Sequence, residues 1–353
     1  MKICYFGNYL PDYIRNRVII KGLKENKVDL IECHTKEIGL KKYFDLLKMH
    51  KDISGKYDLM IIGSHDASRL LVALAKFLTK KPIVWDAHYS IYDSWVYDRK
   101  LISPKSFKAK YYWFLDWLGC TSADKILLDT DEHIQYFVDT FKIKKEKFIR
   151  VLVGADDKMF FPKAGNNTGG KFIIEFHGKY IPLQGIEYII EAAKILEKDN
   201  DIIFNIIGKG QTYAKIMELS RDLDVRNINF IDRVPYEEIP DYISQASVCF
   251  GIFGNTKKTL RVIPNKIYES MAMAKAIITA DTPAIKELFV NRENILFCKV
   301  ADGKSLAEKI LELKNNQELR DKIAKGAYKL FKERCTPRLL AAELLVEIKK
   351  HGK

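Results

Sequence analysis

Short runs rich in isoleucine, valine and phenylalanine alternate with helical stretches, and the whole alternation occurs twice along this chain. No other feature constrains the fold as much. Apolar runs bounded by turns and interleaved with helices indicate parallel sheets covered on both faces. In the first half, "KICYFG", "VDLIEC", "YDLMIIG", "PIVWDAH", "ADKILLDT" and "FIRVLVGAD" predict strands. Between the first two, Ile14, Val18, Ile19 and Leu23 carry helical spacing. The polar, Gly-rich "DKMFFPKAGNNTGG" interrupts the pattern and reads as a linker. Beyond it, "KFIIEFHG", "IIFNIIG", "INFI", "VCFGIF" and "AIIT" restart the strands, with "GIEYIIEAAKILEK" and "NKIYESMAMA" among the intervening helices. A chain of 353 residues is also too long for one core. The expectation is an α/β protein of two doubly wound domains, over 1–160 and 161–336. The amphipathic run at about 337–353 is expected to pack back on the first domain. Ligands in such folds bind outside the carboxyl ends of the strands, here expected in a cleft where the domains face each other.

The composition, 47% hydrophobic and 30% charged, belongs to a soluble globular protein. The N-terminus "MKICYFGNYL" lacks the apolar core of a secretory signal, and no window approaches the roughly 18 apolar residues of a membrane span. Six scattered cysteines with no C-x-x-C pair read as reduced thiols of a cytoplasmic protein, neither a disulfide framework nor a zinc site. The net charge of +13 is spread along the chain, with 28 Lys and Arg against 21 Asp and Glu in residues 1–160 and 31 against 25 beyond. It suits anionic small molecules, an anionic membrane surface or nucleic acid, or reflects a lysine-rich composition alone. A nucleic-acid role has no recognisable module behind it.

Several strand ends carry residues suited to phosphate. Gly7 closes the first strand and lets backbone approach a ligand, while Arg15 and Arg17 suit a phosphate or a solvated helix face. Gly178 and Lys179 end a strand before the helix that Gly185 opens. A helix N-terminus carries about half a positive charge, so a lysine beside it favours a pyrophosphate; the alternative is a plain strand–turn–helix connection. Gly208, Lys209 and Gly210 repeat the arrangement, but Tyr213 stands where a dinucleotide fingerprint needs its third glycine. In "RVIPNKIYESMAM", Asn265 and Lys266 start a helix and Glu269 follows on the same face. The cation suits a diphosphate and the carboxylate a pair of sugar hydroxyls; otherwise the two form a surface ion pair.

These pieces, in their order, carry a resemblance. "GKYIPLQGIEYIIEAAKIL", "NIIGKGQ", "INFIDRVPYEEIPDYISQASVCFGIF" and "VIPNKIYESMAMAKAIITADTPAIKEL" resemble the family-four retaining glycosyltransferases, the glycosyl transferases group 1 of GT-B fold. "FGNY", "DAHYSIYDSWVYDRK" and "ADKILLDT" resemble it more loosely. The resemblance implies two Rossmann-like domains and a nucleoside-diphosphate sugar, UDP- or GDP-linked, held mainly by the C-terminal domain. It implies transfer to a glycan or lipid-linked acceptor with neither metal nor cofactor. Gly7, Lys179, Gly208, Lys209, Arg261, Asn265, Lys266 and Glu269 are then the donor-binding candidates. His88 and Asp86, after the fourth predicted strand, are the catalytic candidates.

Two positions depart from the family pattern. Glu269 matches the second acid of its E-x7-E pair, but Arg261 stands where the first belongs, and Gln184 where a phosphate-binding lysine is usual. Arg261 and Lys266 are therefore expected to supply the positive charge. The triplet Asp129–Thr130–Asp131 imitates the D-x-D metal site of the other glycosyltransferase fold, and a helix N-cap explains it adequately. "PKSFKAKYYWFLDWLG" mixes lysines with aromatics, as a membrane interface or a core helix with a basic end would. A peripheral place on the inner face of the cell membrane fits the first option. The competing functions are a sugar-nucleotide epimerase or phosphorylase on the same fold, or a non-catalytic sugar-nucleotide-binding protein.

Overall fold

A computed structural model describes residues 1–163 and 169–350. Two compact units divide the chain: Met1–Gly154 with Thr336–Lys353, and Ala155–Cys335. The first contains β1 (Lys2–Gly7), α1 (Ile14–Glu25), β2 (Asp29–His34), α2 (Lys41–Ile53), β3 (Leu59–Ile62) and α3 (Ser68–Leu78). It continues through β4 (Ile83–Asp86), α4 (Phe107–Ser122), β5 (Lys125–Leu128), α5 (Asp131–Phe141) and β6 (Phe148–Arg150). All strand pairs are parallel, in the order β2-β1-β3-β4-β5-β6. The continuous apolar character of β1 follows from burial on both faces. Cys4 and Phe6 enter the core under α2, α3, α4 and α5, while Ile3 and Tyr5 enter the core on the opposite side with Ile19 and Leu23 of α1.

The second unit runs β7 (Phe172–His177), α6 (Ile186–Ile195), β8 (Ile202–Ile207), α7 (Tyr213–Asp222), β9 (Ile228–Ile231), α8 (Ile239–Gln245) and β10 (Val248–Phe250). It ends with α9 (Asn265–Ala272), β11 (Ala276–Ala280), α10 (Pro283–Lys286), β12 (Leu296–Cys298), α11 (Gly303–Asn315) and α12 (Gln317–Arg334). Its parallel sheet is ordered β12-β11-β10-β7-β8-β9. The strand β12 and the single turn α10 had no counterpart in the sequence pattern, because elements this short carry no period of their own.

The polar stretch lies downstream of the unit boundary. Phe160 is buried against the Tyr236 ring, centroids 5.4 Å apart, and Lys163 pairs with Asp241 at 3.0 Å, so the segment from Ala155 belongs to the second unit. The middle of the expected linker, residues 164–168, lies outside the described residues. After α12 the chain re-enters the first unit as α13 (Pro337–Lys350). There Ala341 and Leu344 join the core beside Ile19, Ile20 and Leu23.

Candidate functional site

In the second sheet the strand order reverses between β10 and β7, and crevices at such switch points receive ligands. Three residues of β7, Phe172, Ile174 and Phe176, point into the apolar core. Glu175 and His177 alternate with them and are buried too, so two ionisable groups emerge beside the switch point. His177 Nδ1 lies 2.7 Å from Glu175 Oε1, and Nε2 lies 2.6 Å from Glu269 Oε2 of α9. The Tyr236 hydroxyl donates to Glu269 Oε1 at 2.6 Å. Burial pulls the His177 pKa down, but the charges and hydrogen bonds of Glu175 and Glu269 outweigh it and raise it to about 9. The imidazole is therefore a cation between two carboxylates at neutral pH.

Lys266 is the second buried basic group of this site. Its Nζ donates to Gln184 Oε1 at 2.6 Å and lies 3.4 Å from the Phe176 ring centroid. Burial drives its pKa well down, against the opposing pull of Glu175 and Glu269. Gln184 is its only hydrogen-bond acceptor among the described residues, and an ammonium has three donors. Gly178, directly after β7, has φ +152°, and a Cβ there would stand 3.0 Å from this Nζ. At Gly208, after β8, a Cβ would fall 2.1 Å from the Gly178 carbonyl oxygen. Glycine at 208 thus lets the two loops touch, which explains the residue by packing alone.

In the first unit the order reverses between β1 and β3. Asn16 of α1 bridges this point, accepting from Ser64 N at 2.9 Å and donating to Ser64 O at 3.0 Å. Arg15 is buried, with Nε 3.1 Å from both oxygens of Asp86 and Nη1 bound to the carbonyls of Val151 and Leu152. It is neither a solvated face nor a group turned outward to a phosphate. Burial raises the Asp86 pKa and Arg15 opposes it. Two residues on, His88 adopts φ +56° and its Nε2 lies 3.1 Å from the Tyr13 hydroxyl. A left-handed backbone is uncommon outside glycine, costs of order 1–3 kcal/mol, and clusters at functional sites. Asp129 is buried against His133 Nδ1 at 2.8 Å. Burial would raise its pKa, but His133, with His88 and Arg15 farther off, holds it below the usual range. Thr130 is the N-cap of α5, accepting from His133 N, and Asp131 pairs with Arg150 at 3.2 Å. The D-x-D look-alike is thus engaged in capping and pairing.

Residues 157–330 match the family model described as glycosyl transferases group 1. The second unit belongs to that family. This glycosyltransferase is 24% identical over 297 residues to an uncharacterized glycosyltransferase of Methanocaldococcus jannaschii, covering 84% of this chain and 77% of that one. It is 23% identical over 319 residues to the capsular polysaccharide biosynthesis glycosyltransferase CapM of Staphylococcus aureus, covering 85% and 78%. Among solved structures, Anabaena HepE in complex with UDP and glucose aligns with TM-score 0.73 at 13% identity, over 99% of this chain and all of that one. The fold is GT-B, with two parallel six-stranded sheets and alternating helices.

The glycosyltransferase brings several of the expected residues together. Gly178, Lys266 and Glu269 share the switch point of the second unit. Lys266 and Glu269 do not bind each other; each reaches a different partner on or after β7. Asn265 is the half-buried first residue of α9, and Arg261 is half-buried in the short turn before it. Lys179 is exposed, and Lys209 is exposed and paired with Asp232 at 2.7 Å. Gly7 closes β1 in the first unit. Sequence reasoning missed Glu175, His177 and Tyr236. The signal was present: in "FIIEFH" an acid and a histidine occupy alternate positions of an otherwise apolar strand, and so share one face.

Proposed function

We propose that this glycosyltransferase moves a hexose from a UDP- or GDP-linked donor to a glycan or lipid-linked acceptor, with retained anomeric configuration and without a metal. One observation carries the reading. A buried lysine with a single hydrogen-bond acceptor among the described residues, Lys266, stands one helical turn before a buried acid, Glu269, at a strand-order reversal. Lys266 meets the diphosphate, aided by Arg261 and the positive end of the peptide dipoles at the start of α9. Glu269 meets the ribose. Each of its oxygens has accepted one hydrogen bond, and each holds a second lone pair for a hydroxyl. Catalysis is then mainly positioning, with cations and amide dipoles stabilising the departing diphosphate. The candidate catalytic groups of the first unit are His88 and Asp86. HepE, whose fold this chain shares, was crystallised with UDP and glucose, and CapM is named for capsular polysaccharide biosynthesis.

The first unit also supports the membrane-side part of the proposal. Phe107, Tyr111 and Phe114 form an outward stripe on α4 among Lys105, Lys108 and Lys110; Phe107 is 85% exposed. Leu40, Phe44 and Leu47 form another at α2, beside Lys41, Lys48 and Lys51; Phe44 is 69% exposed. Exposed aromatics ringed by lysines complement an anionic lipid surface. Among the described residues, no helix is long and apolar enough to cross a membrane.

The test is a thermal-shift screen against UDP, GDP, ADP and their sugars. A ligand at 100 times its dissociation constant contributes about 2.7 kcal/mol. Failure of every nucleotide to shift the melt overturns the reading. With the donor in hand, activity in excess chelator and the anomeric configuration of the product decide the metal and stereochemical parts.

A further inference from the structure

We propose that His177 is a positioning residue: it holds the Glu269 carboxylate in the orientation that receives the donor ribose, and Glu175 keeps it in the doubly protonated form this requires. The inference rests on the donor-binding role of Glu269 and adds to it a group that does not itself touch the donor.

Both ring nitrogens of His177 face carboxylate oxygens, at 2.7 Å and 2.6 Å. An imidazolium offers two N–H donors and satisfies both carboxylates; a neutral imidazole offers one, and turns a lone pair toward the other carboxylate. Tyr236 fixes the opposite oxygen of Glu269, and the buried Phe160 ring backs Tyr236. Glu269 is therefore held at both oxygens, by two elements besides its own helix. Its second lone pairs then have defined directions, which is what recognition of a pair of adjacent hydroxyls needs.

The charged and titratable groups around the ring are few. Glu175 shares its strand. Glu269 faces it from α9, where Lys266 acts electrostatically with Glu175 and Glu269. Cys249 of β10 lies beside Glu175, and burial and Glu175 both hold that thiol protonated. Two anions against one cation favour the protonated ring. As pH rises through about 9 that proton is lost, and Glu269 loses either its partner or its orientation. Donor affinity should fall on the same limb.

Calorimetric titration with UDP and with GDP from pH 7 to 10 tests this, in the wild-type chain and in Glu175→Gln and His177→Gln, each checked by thermal melt. Wild type should lose roughly tenfold in affinity across a limb near pH 9. Glu175→Gln should shift that limb down by about a unit or more, because the ring has lost an anion, and so bind more weakly than wild type at pH 8 to 9. His177→Gln, which cannot titrate, should bind about tenfold more weakly at pH 7 and show no limb. A limb unmoved in Glu175→Gln overturns the proposal even if His177→Gln fails to fold. So does a folded His177→Gln that binds like wild type. If wild type binds neither nucleotide, the functional reading fails first; if it binds and the variants follow its profile, only this inference fails.

Discussion

The Lys266 ammonium is bound to the Gln184 amide oxygen at 2.6 Å, so a cation from α9 is tied to the residue that stands where the family pattern has a lysine. The charge expected on the turn after β7 arrives instead from the facing helix. Lys266→Met should weaken binding of the bare nucleoside diphosphate by roughly 10- to 100-fold, the range of a charge-assisted hydrogen bond. Because a buried charge is costly to fold around, the same change should leave the melting temperature unchanged or raise it. Adding Gln184→Lys to Lys266→Met should recover part of the affinity. Calorimetry and melts on the three chains check this, and a parallel loss of stability and binding in Lys266→Met would contradict it.

Arg261 lies in the half-buried turn leading into α9. If it adds positive charge for the diphosphate, Arg261→Ala should lower affinity for the bare nucleoside diphosphate by about 5- to 10-fold, with less effect on a nucleoside without phosphates. Unchanged calorimetric affinity for the diphosphate would remove Arg261 from the site.

Arg15 and Asp86 form a fully buried ion pair. Asp86→Asn leaves an uncompensated guanidinium inside the first unit and should cost about 3–5 kcal/mol in urea unfolding. Replacing both partners with leucine should cost much less than that single change. A single substitution that cost no more than the double would show that the pair does not hold this end of the sheet.

Protonation of His177 should also appear in stability. Its pKa is raised on folding, from 6.5 to about 9. The stabilisation it provides is thus complete below the unfolded value and is lost as pH rises through the folded one. About two and a half units correspond to roughly 3 kcal/mol at most. Urea midpoints measured between pH 6 and 10 should fall over that window in the wild-type chain and stay flatter in His177→Gln.

On the outward stripes, Phe44→Glu with Phe107→Glu should abolish sedimentation with anionic vesicles at low salt while leaving nucleotide binding intact. Neutral vesicles should bind the wild-type chain far less, since each lysine near an anionic surface contributes about 1 kcal/mol. Equal sedimentation of wild type and variant, or none by wild type, would discard the membrane surface.

The repeated alternation made both sheets legible, because parallel strands buried on two faces must be apolar throughout. Lys266 and Glu269 stood out because charge at the start of an apolar helix has no packing reason. Their partners did not stand out. Gln184 lies 82 residues from Lys266 and His177 lies 92 from Glu269, and no local period encodes which side chains a switch point will bring together. Arg15 was misplaced for a related reason: a cation in the first turn of a helix after a strand resembles a phosphate ligand, and only the distant Asp86 reveals that it turns inward. The boundary at Gly154 escaped composition because Phe160, on the N-terminal side of the Gly-rich run, packs against Tyr236 on the far side of it.

The return of the chain through α13 sets an order of events during synthesis. The ribosome delivers β1 through β6 first, yet the helix that covers Ile19, Ile20 and Leu23 emerges only after the whole of the second unit. The second unit can therefore mature while the first still carries an open apolar side. A stop codon placed just before Thr336 should leave a folded second unit tethered to an aggregation-prone first one, so the first half of the chain to be made is the last to be finished.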